Sequence, residues 1–192
     1  MNLALIGMRG VGKSNISRRL AFVSKRPVLS TDLLIEYETG MTIPDLVTDH
    51  GWPVFRDREA AVIQRICAMD HVIVDCGGGV VVDIEPATGI EVFSDRKVEA
   101  LRERGPVVWL RGDIDRLAAK TAGDPSRPVL DSQRDAAQIM RSREPFYKRA
   151  ADVIVDVEGR KRSAMAMELA MQFADVLGLD DELVARIQRK HG

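Results

Sequence analysis

Gly7-Met8-Arg9-Gly10-Val11-Gly12-Lys13-Ser14 decides how the chain is read. Its pattern, G-x-x-x-x-G-K-S, follows an apolar run at residues 3–6 and opens a helix-compatible segment at residues 15–23, giving strand, phosphate loop and helix in succession. The glycines let consecutive backbone N–H groups curl around an oligophosphate without side chains in the way. Lys13 then reaches the outer phosphates, the Ser14 hydroxyl suits a Mg²⁺ ligand, and the helix N-terminus adds partial positive charge. A glycine-rich turn that binds nothing is the competing reading. The agreement of motif and context argues against it.

Working outward, 192 residues with 45% hydrophobic and 30% charged content suffice for one core. Residues 1–178 are expected to form a single domain, with 179–192 as its helical tail. A net charge of −1 and a pI near 6.3 give no general attraction to nucleic acid or anionic membrane, so an anion site must be local. A strand starting at residue 2 leaves no room for a signal peptide, and no apolar run reaches the ~18–20 residues of a membrane span. A cytoplasmic monomer is expected. Cys67 and Cys76 lack metal-site spacing and are expected as reduced thiols.

Behind the loop, Ile16, Leu20 and Val23 keep helical spacing. A short strand at 27–29 delivers Ser30-Thr31-Asp32 to the sheet edge where ligands bind in open parallel α/β folds. Asp32 is either a ligand of that site or the cap of a helix starting at Leu33. Residues 45–69 read as helix, interrupted by a turn at His50-Gly51-Trp52-Pro53. Phe55, Ala60, Ile63 and Ile66 form its buried face, leaving Arg56 and Arg58 beside it, where arginines are ordinarily solvated. His50 and His71 have no nearby ligand partners in the sequence.

The second informative stretch is His71-Val72-Ile73-Val74-Asp75-Cys76-Gly77-Gly78-Gly79, an apolar strand ending in an acid and three glycines. It reads as a Walker B strand, with Asp75 able to hold a Mg²⁺-bound water facing Ser14 and the glycines admitting a substrate close to the backbone. The alternatives are a flexible loop and an acid that caps the turn. Further on, 80–105 contains a turn at Glu85-Pro86-Ala87-Thr88-Gly89 and a helix at 95–103, with no readable purpose. Then come a strand at 107–110, a helix at 113–120, a Gly- and Pro-bearing mobile lid at 121–132, a helix at 134–149 and a fifth strand at 153–155. A helix at 164–177 buries Met165, Leu169, Phe173 and Val176. The tail, with Leu183, Val184 and Ile187 on one face, either packs on the domain or binds a partner.

Taken together, residues 3–162 resemble the shikimate kinases, in the nucleoside-monophosphate-kinase-like group of P-loop proteins. The resemblance rests on the phosphate loop, Ser30-Thr31-Asp32 with Ile35-Glu36 and Gly40, Gly51-Trp52-Pro53-Val54-Phe55-Arg56, Gly77-Gly78-Gly79, Arg127-Pro128 and Arg143-Glu144-Pro145-Phe146-Tyr147. It implies a three-layer α/β fold with five parallel strands in the order 2-3-1-4-5. It also implies ATP- and Mg²⁺-dependent phosphorylation of the shikimate 3-hydroxyl, with ATP and shikimate as the partners. Position by position, Arg9, Gly10, Val11, Gly12, Lys13, Ser14 and Asn15 hold the nucleotide, Lys13 and Arg127 stabilise phosphoryl transfer, and Lys120 and Arg160 lie on the nucleotide side. Asp32 holds the shikimate hydroxyls and assists deprotonation. Arg56 and Arg143 grip the substrate carboxylate, with Gly78 and Gly79 at its backbone contact; two planar forks on separate elements suit that task.

Two departures stand out. The family usually has Asp-x-Asp where this chain has Ser30-Thr31-Asp32, and Asp75 stands where a short residue is usual. The expectation is that the supporting acid has moved to the neighbouring strand, so that Ser14 and Asp75 form the metal side. Asn15 also replaces the family's second hydroxyl. A kinase of another small carboxylated polyol and a nucleotide-binding regulator with weakened chemistry are the rival functions; retention of both Arg56 and Arg143 disfavours the regulator.

Overall fold

The structure is a computed structural model and describes residues 1–121 and 135–191. Strand β1 (Leu3–Ile6) is buried at all four positions, so both faces of the sheet are covered there, as in parallel α/β sheets. Helix α1 (Lys13–Ser24) starts at the end of the phosphate loop, and β2 (Val28–Ser30) leads into α2 (Thr31–Thr39). Helix α3 (Ile43–Cys67) is followed by β3 (Ile73–Asp75), the hairpin β4 (Val82–Ile84) and β5 (Glu91–Phe93), then α4 (Asp95–Arg104). The remaining elements are β6 (Val107–Arg111), α5 (Ile114–Thr121), α6 (Ala136–Ala150), β7 (Val153–Asp156), α7 (Arg162–Gln172), α8 (Ala174–Leu177) and α9 (Asp181–His191).

The main sheet runs β2-β3-β1-β6-β7 with parallel pairings throughout. Counting only its own five strands, that is the expected order 2-3-1-4-5. The chain leaves β1 toward one edge and later returns to its other side, so the end of β1 is a topological switch point, where α/β sheets bind ligands. The phosphate loop starts there. Gly7 packs so closely on β6 that a Cβ would meet the Leu110 carbonyl oxygen at 2.6 Å.

Three local features differ from the sequence reading, while the break in α3 at Gly51 falls within the expected interruption at 50–53. Ser30, not Asp32, caps α2, its Oγ accepting from the Leu33 N–H, which leaves the Asp32 carboxylate to other work. Helix α3 bends at Gly51, whose φ of 80° and ψ of 166° suit glycine best, so one segment changes direction before presenting Arg56. Residues 82–93 form the antiparallel hairpin β4–β5 outside the main sheet. The predicted helix at 164–177 is broken at Phe173 into α7 and α8. The tail helix α9 packs on the domain, with contacts to α7 and Ile187 buried. No helix among the described residues is long and apolar enough to cross a membrane.

Candidate active site

The ends of β1, β2 and β3 converge on one cleft. Its wider part, about 290 Å³, is lined by Arg9, Lys13, Ser14, Ser30, Asp32 and Asp75, among others. Arg9, Asp32, Ile43 and Gly78 also border a much tighter space of about 10 Å³, closed by Arg56, Glu59, Gly79 and Arg143. Gly10, Lys13, Ser14 and Asp75 on the phosphate side and Arg56, Gly79 and Arg143 on the other thus line two adjoining spaces, with Arg9, Asp32 and Gly78 common to both.

At the phosphate end, Gly10 and Gly12 adopt φ of 78° and 107°, left-handed conformations that a side chain would strain. Val11 between them is buried. Lys13 Nζ donates to the loop's own carbonyls, Gly7 O at 2.7 Å and Met8 O at 3.2 Å. Burial lowers the Lys13 pKa, an effect opposed by the carboxylates of Asp75 and Asp32. Asn15 sits on the exposed side of α1 and accepts from Arg19 Nε at 2.8 Å.

The three glycines after β3 have a clear steric reason. A Cβ at Gly77 would collide with Asp32 Oδ1, one at Gly78 would lie 2.5 Å from Arg9 Cγ, and one at Gly79 would lie 2.5 Å from Arg56 Nη2. Each glycine thus gives its place to a polar side chain from another element. The Gly77 N–H is held by Thr31 Oγ1 at 2.8 Å, tying the glycine turn to the start of α2. Asp32, brought against this turn, is pushed up from 3.8 to about 6, first by burial and then by the negative charge of Glu59, while Lys13 and Arg9 pull the other way.

Arg56 and Arg143 are both almost fully buried, at 2% and 3% exposure, against the solvated position expected of an arginine on α3. Arg56 Nη1 donates to Glu59 Oε2 at 2.9 Å, and its guanidinium lies over the rings of Phe55 and Trp52. Glu59 is held in turn by Lys97 from α4, at 2.8 Å. Burial alone would raise the Glu59 pKa, but Lys97 and Arg56 outweigh it and hold the group low. Arg143 from α6 donates through Nε to Glu91 Oε2 at 2.8 Å, and its Nη2 also contacts Glu91 Oε1. Burial would lower the Arg143 pKa; the Glu91 carboxylate reverses the direction. Tyr147, one turn after Arg143, donates its hydroxyl to Gly78 O at 2.9 Å and stacks on Trp109.

Sequence reasoning missed Glu59, Lys97, Glu91 and Tyr147. Glu59 and Tyr147 were within reach of it, being three and four residues beyond the two arginines on the same helical faces. Lys97 and Glu91 meet partners 38 and 52 residues away, which no local spacing discloses.

A model of the shikimate kinase family, described as "Shikimate kinase", matches residues 9–174. The chain belongs to the shikimate kinase family. A shikimate kinase of Leptospira biflexa is 42% identical over 152 residues, spanning 79% of this chain and 83% of the relative. One from Pseudomonas syringae is 35% identical over 178 residues, spanning 91% and 97%. Among solved structures, the shikimate kinase of Acinetobacter baumannii in complex with shikimate superposes with a TM-score of 0.78 at 26% identity, covering 91% of this chain and 93% of that one.

In this shikimate kinase family member, the residues expected on the nucleotide side lie in different surroundings. Lys120 Nζ donates to Gly10 O at 3.0 Å and so stands over the phosphate loop. Arg160 pairs with Glu168 and with the Asp156 carbonyl. Arg162, which was not anticipated, is the arginine against the loop: a Cβ on Gly12 would lie 2.7 Å from its Nε. Arg127 and residues 122–132 of the expected lid lie outside the described residues.

Proposed function

We propose that the chain transfers the γ-phosphoryl group of ATP to the 3-hydroxyl of shikimate, giving 3-phosphoshikimate and ADP. The observation that carries this reading is the pair of buried arginines, Arg56 and Arg143, on separate helices at one end of a cleft whose other end is the phosphate loop. Two guanidinium forks fix a carboxylate and thereby the ring that bears it, so one hydroxyl is presented toward the nucleotide. A nucleotide-binding regulator has no use for that end. Membership of the family, whose co-substrate is ATP, supports the same reading.

In the reaction, the acceptor oxygen forms a bond to the γ-phosphorus as the bond from that phosphorus to the bridging oxygen of ADP breaks. The hydroxyl proton passes to Asp32, whose pKa near 6 makes it ionised yet basic at neutral pH. Lys13 exchanges its contacts with Gly7 O and Met8 O for phosphate oxygens and offsets the charge leaving with ADP. Arg9, which lies against Gly78 and lines both parts of the cleft, separates nucleotide and acceptor ends.

The residues present fit Mg²⁺. Ser14, Ser30 and Asp75 line the same space and are all oxygen donors, which suits a hard ion that keeps its waters and shares phosphate ligands. Among the described residues no group of three or more His, Cys, Asp or Glu forms a protein-only metal cage, and Mg²⁺ at a nucleotide site needs none. Ser14 and Asp75 would hold the ion, which when bound neutralises phosphate charge. The chain is read as a cytoplasmic monomer acting on these two small molecules.

The test is ADP release measured with and without shikimate, with the product identified by mass and by phosphorus NMR. Shikimate-dependent release of 3-phosphoshikimate is expected. ATP turnover indifferent to shikimate, or equal with a neutral polyol, would reject this assignment.

A further inference from the structure

Resting on the acceptor assignment above, we propose that Glu91 is an internal carboxylate that occupies the acceptor's carboxylate seat, so that acceptor binding requires its displacement and acceptor affinity is set by that exchange. The geometry carries it. Glu91 meets Arg143 fork to fork, Nε to Oε2 at 2.8 Å and Nη2 to Oε1, while the same Oε1 stands 4.0 Å from Arg56 Nη2. One carboxylate thus addresses both arginines assigned to the substrate, in the bidentate manner expected of a carboxylate ligand.

Space at this end is consistent with a seat already taken. The cavity bordered by Arg56, Glu59, Gly79 and Arg143 measures about 10 Å³, barely room for a single water and far too little for a ring acid. Charge argues the same way. With Glu59 already on Arg56 and Lys97, and Glu91 on Arg143, a third carboxylate among these groups would crowd like charges in a buried place. Exchange of Glu91 for the ligand's carboxylate leaves Arg143 paired before and after, while Arg56 keeps Glu59 throughout.

Glu91 is placed to leave. Its side chain is 14% exposed, and it begins a three-residue strand whose neighbours Ile90 and Val92 are exposed. The base of the hairpin is fixed instead: Ser94 Oγ donates to Asp83, Arg96 pairs with Asp83, and Phe93 packs edge-on against Phe146. Displacement of the Glu91 side chain from Arg143 leaves these base contacts in place. An acceptor without a carboxylate would leave Arg143 buried and unpaired by the same displacement, which confines useful binding to acids.

The experiment compares wild type with Glu91→Gln and Glu91→Ala. Shikimate affinity is measured by calorimetry without nucleotide and as KM in the coupled assay, with circular dichroism melts as the check on folding; the Gln variant keeps the side chain's shape if Ala disturbs the hairpin. Removing an occupant should lower both the Kd and the KM for shikimate by roughly threefold or more, as expected when a competing closed state is removed, with the KM for ATP unchanged. An unchanged or raised shikimate Kd in a folded variant would overturn the inference and make Glu91 a positioning partner of Arg143. Failure of the acceptor assignment is distinguishable, because wild type itself would then neither bind nor turn over shikimate.

Discussion

Ser30 and Asp75 are register partners on adjacent parallel strands, β2 and β3, and both line the space beside Ser14 and Lys13. A carboxylate at either strand end therefore enters the same cavity. Asp75→Ser should raise the Mg²⁺ concentration needed for half-maximal turnover by about tenfold or more, the scale seen when groups supporting a metal are removed. Ser30→Asp in that background should restore part of the loss. Mg²⁺ titrations of ADP release decide it: identical curves for wild type and folded Asp75→Ser would assign Asp75 to the turn alone.

Replacing Arg56 or Arg143 by Ala should weaken shikimate binding by roughly 2–5 kcal/mol, the scale for losing one partner of a desolvated charge pair. ATP binding should be nearly unchanged, because neither arginine lines the wider, phosphate-side space. Calorimetry with each ligand separately provides the check, and near-normal shikimate affinity in both variants would reject the proposed pose.

With the Asp32 pKa raised from 3.8 to about 6, kcat/KM for shikimate should fall as pH drops through about 6, as the base becomes protonated. The stability effect has the opposite sense. A raised carboxyl pKa favours the folded protein below the unfolded value and is lost as pH rises through the folded one. Asp32→Asn should therefore gain on wild type in urea melts between about pH 4 and pH 6, levelling off above at no more than about 3 kcal/mol, while losing at least about 100-fold in turnover. A stability difference that does not change with pH would show that Asp32 does not titrate in this range.

Lys97 has no exposed side-chain surface and joins Glu59 at 2.8 Å to Val82 O at 2.5 Å. Lys97→Ala should cost about 3–5 kcal/mol, because Glu59 remains buried with Arg56 as its remaining close cation. Lys97→Ala with Glu59→Gln should be less damaging than the sum of the two single changes. Additive losses in denaturant melts would mean that the pair is not coupled.

The phosphate loop, the strand ends and the glycine triplet were legible because each is a local pattern with one physical cause. Asp32 was ambiguous by position alone, and the cap that decides it is Ser30, two residues earlier. Lys97 was unreadable for a different reason: in the charged run Asp95-Arg96-Lys97-Val98-Glu99 a lysine looks solvated, and only packing against α3 reveals Glu59. The hairpin escaped notice because its strands are three residues each, too short to show alternation. Glu91 could not be placed without it.

The Gly78 carbonyl receives both the Tyr147 hydroxyl and, at 3.4 Å, Arg143 Nη1. A trans peptide is rigid and holds its C=O and the following N–H in opposite directions, so fixing that carbonyl also fixes the heading of the Gly79 N–H. In a run of three glycines, where rotation about φ and ψ is otherwise least restrained, one peptide plane is thereby clamped from α6. The same helix that supplies Arg143 thus sets the orientation of a backbone dipole beside Arg56.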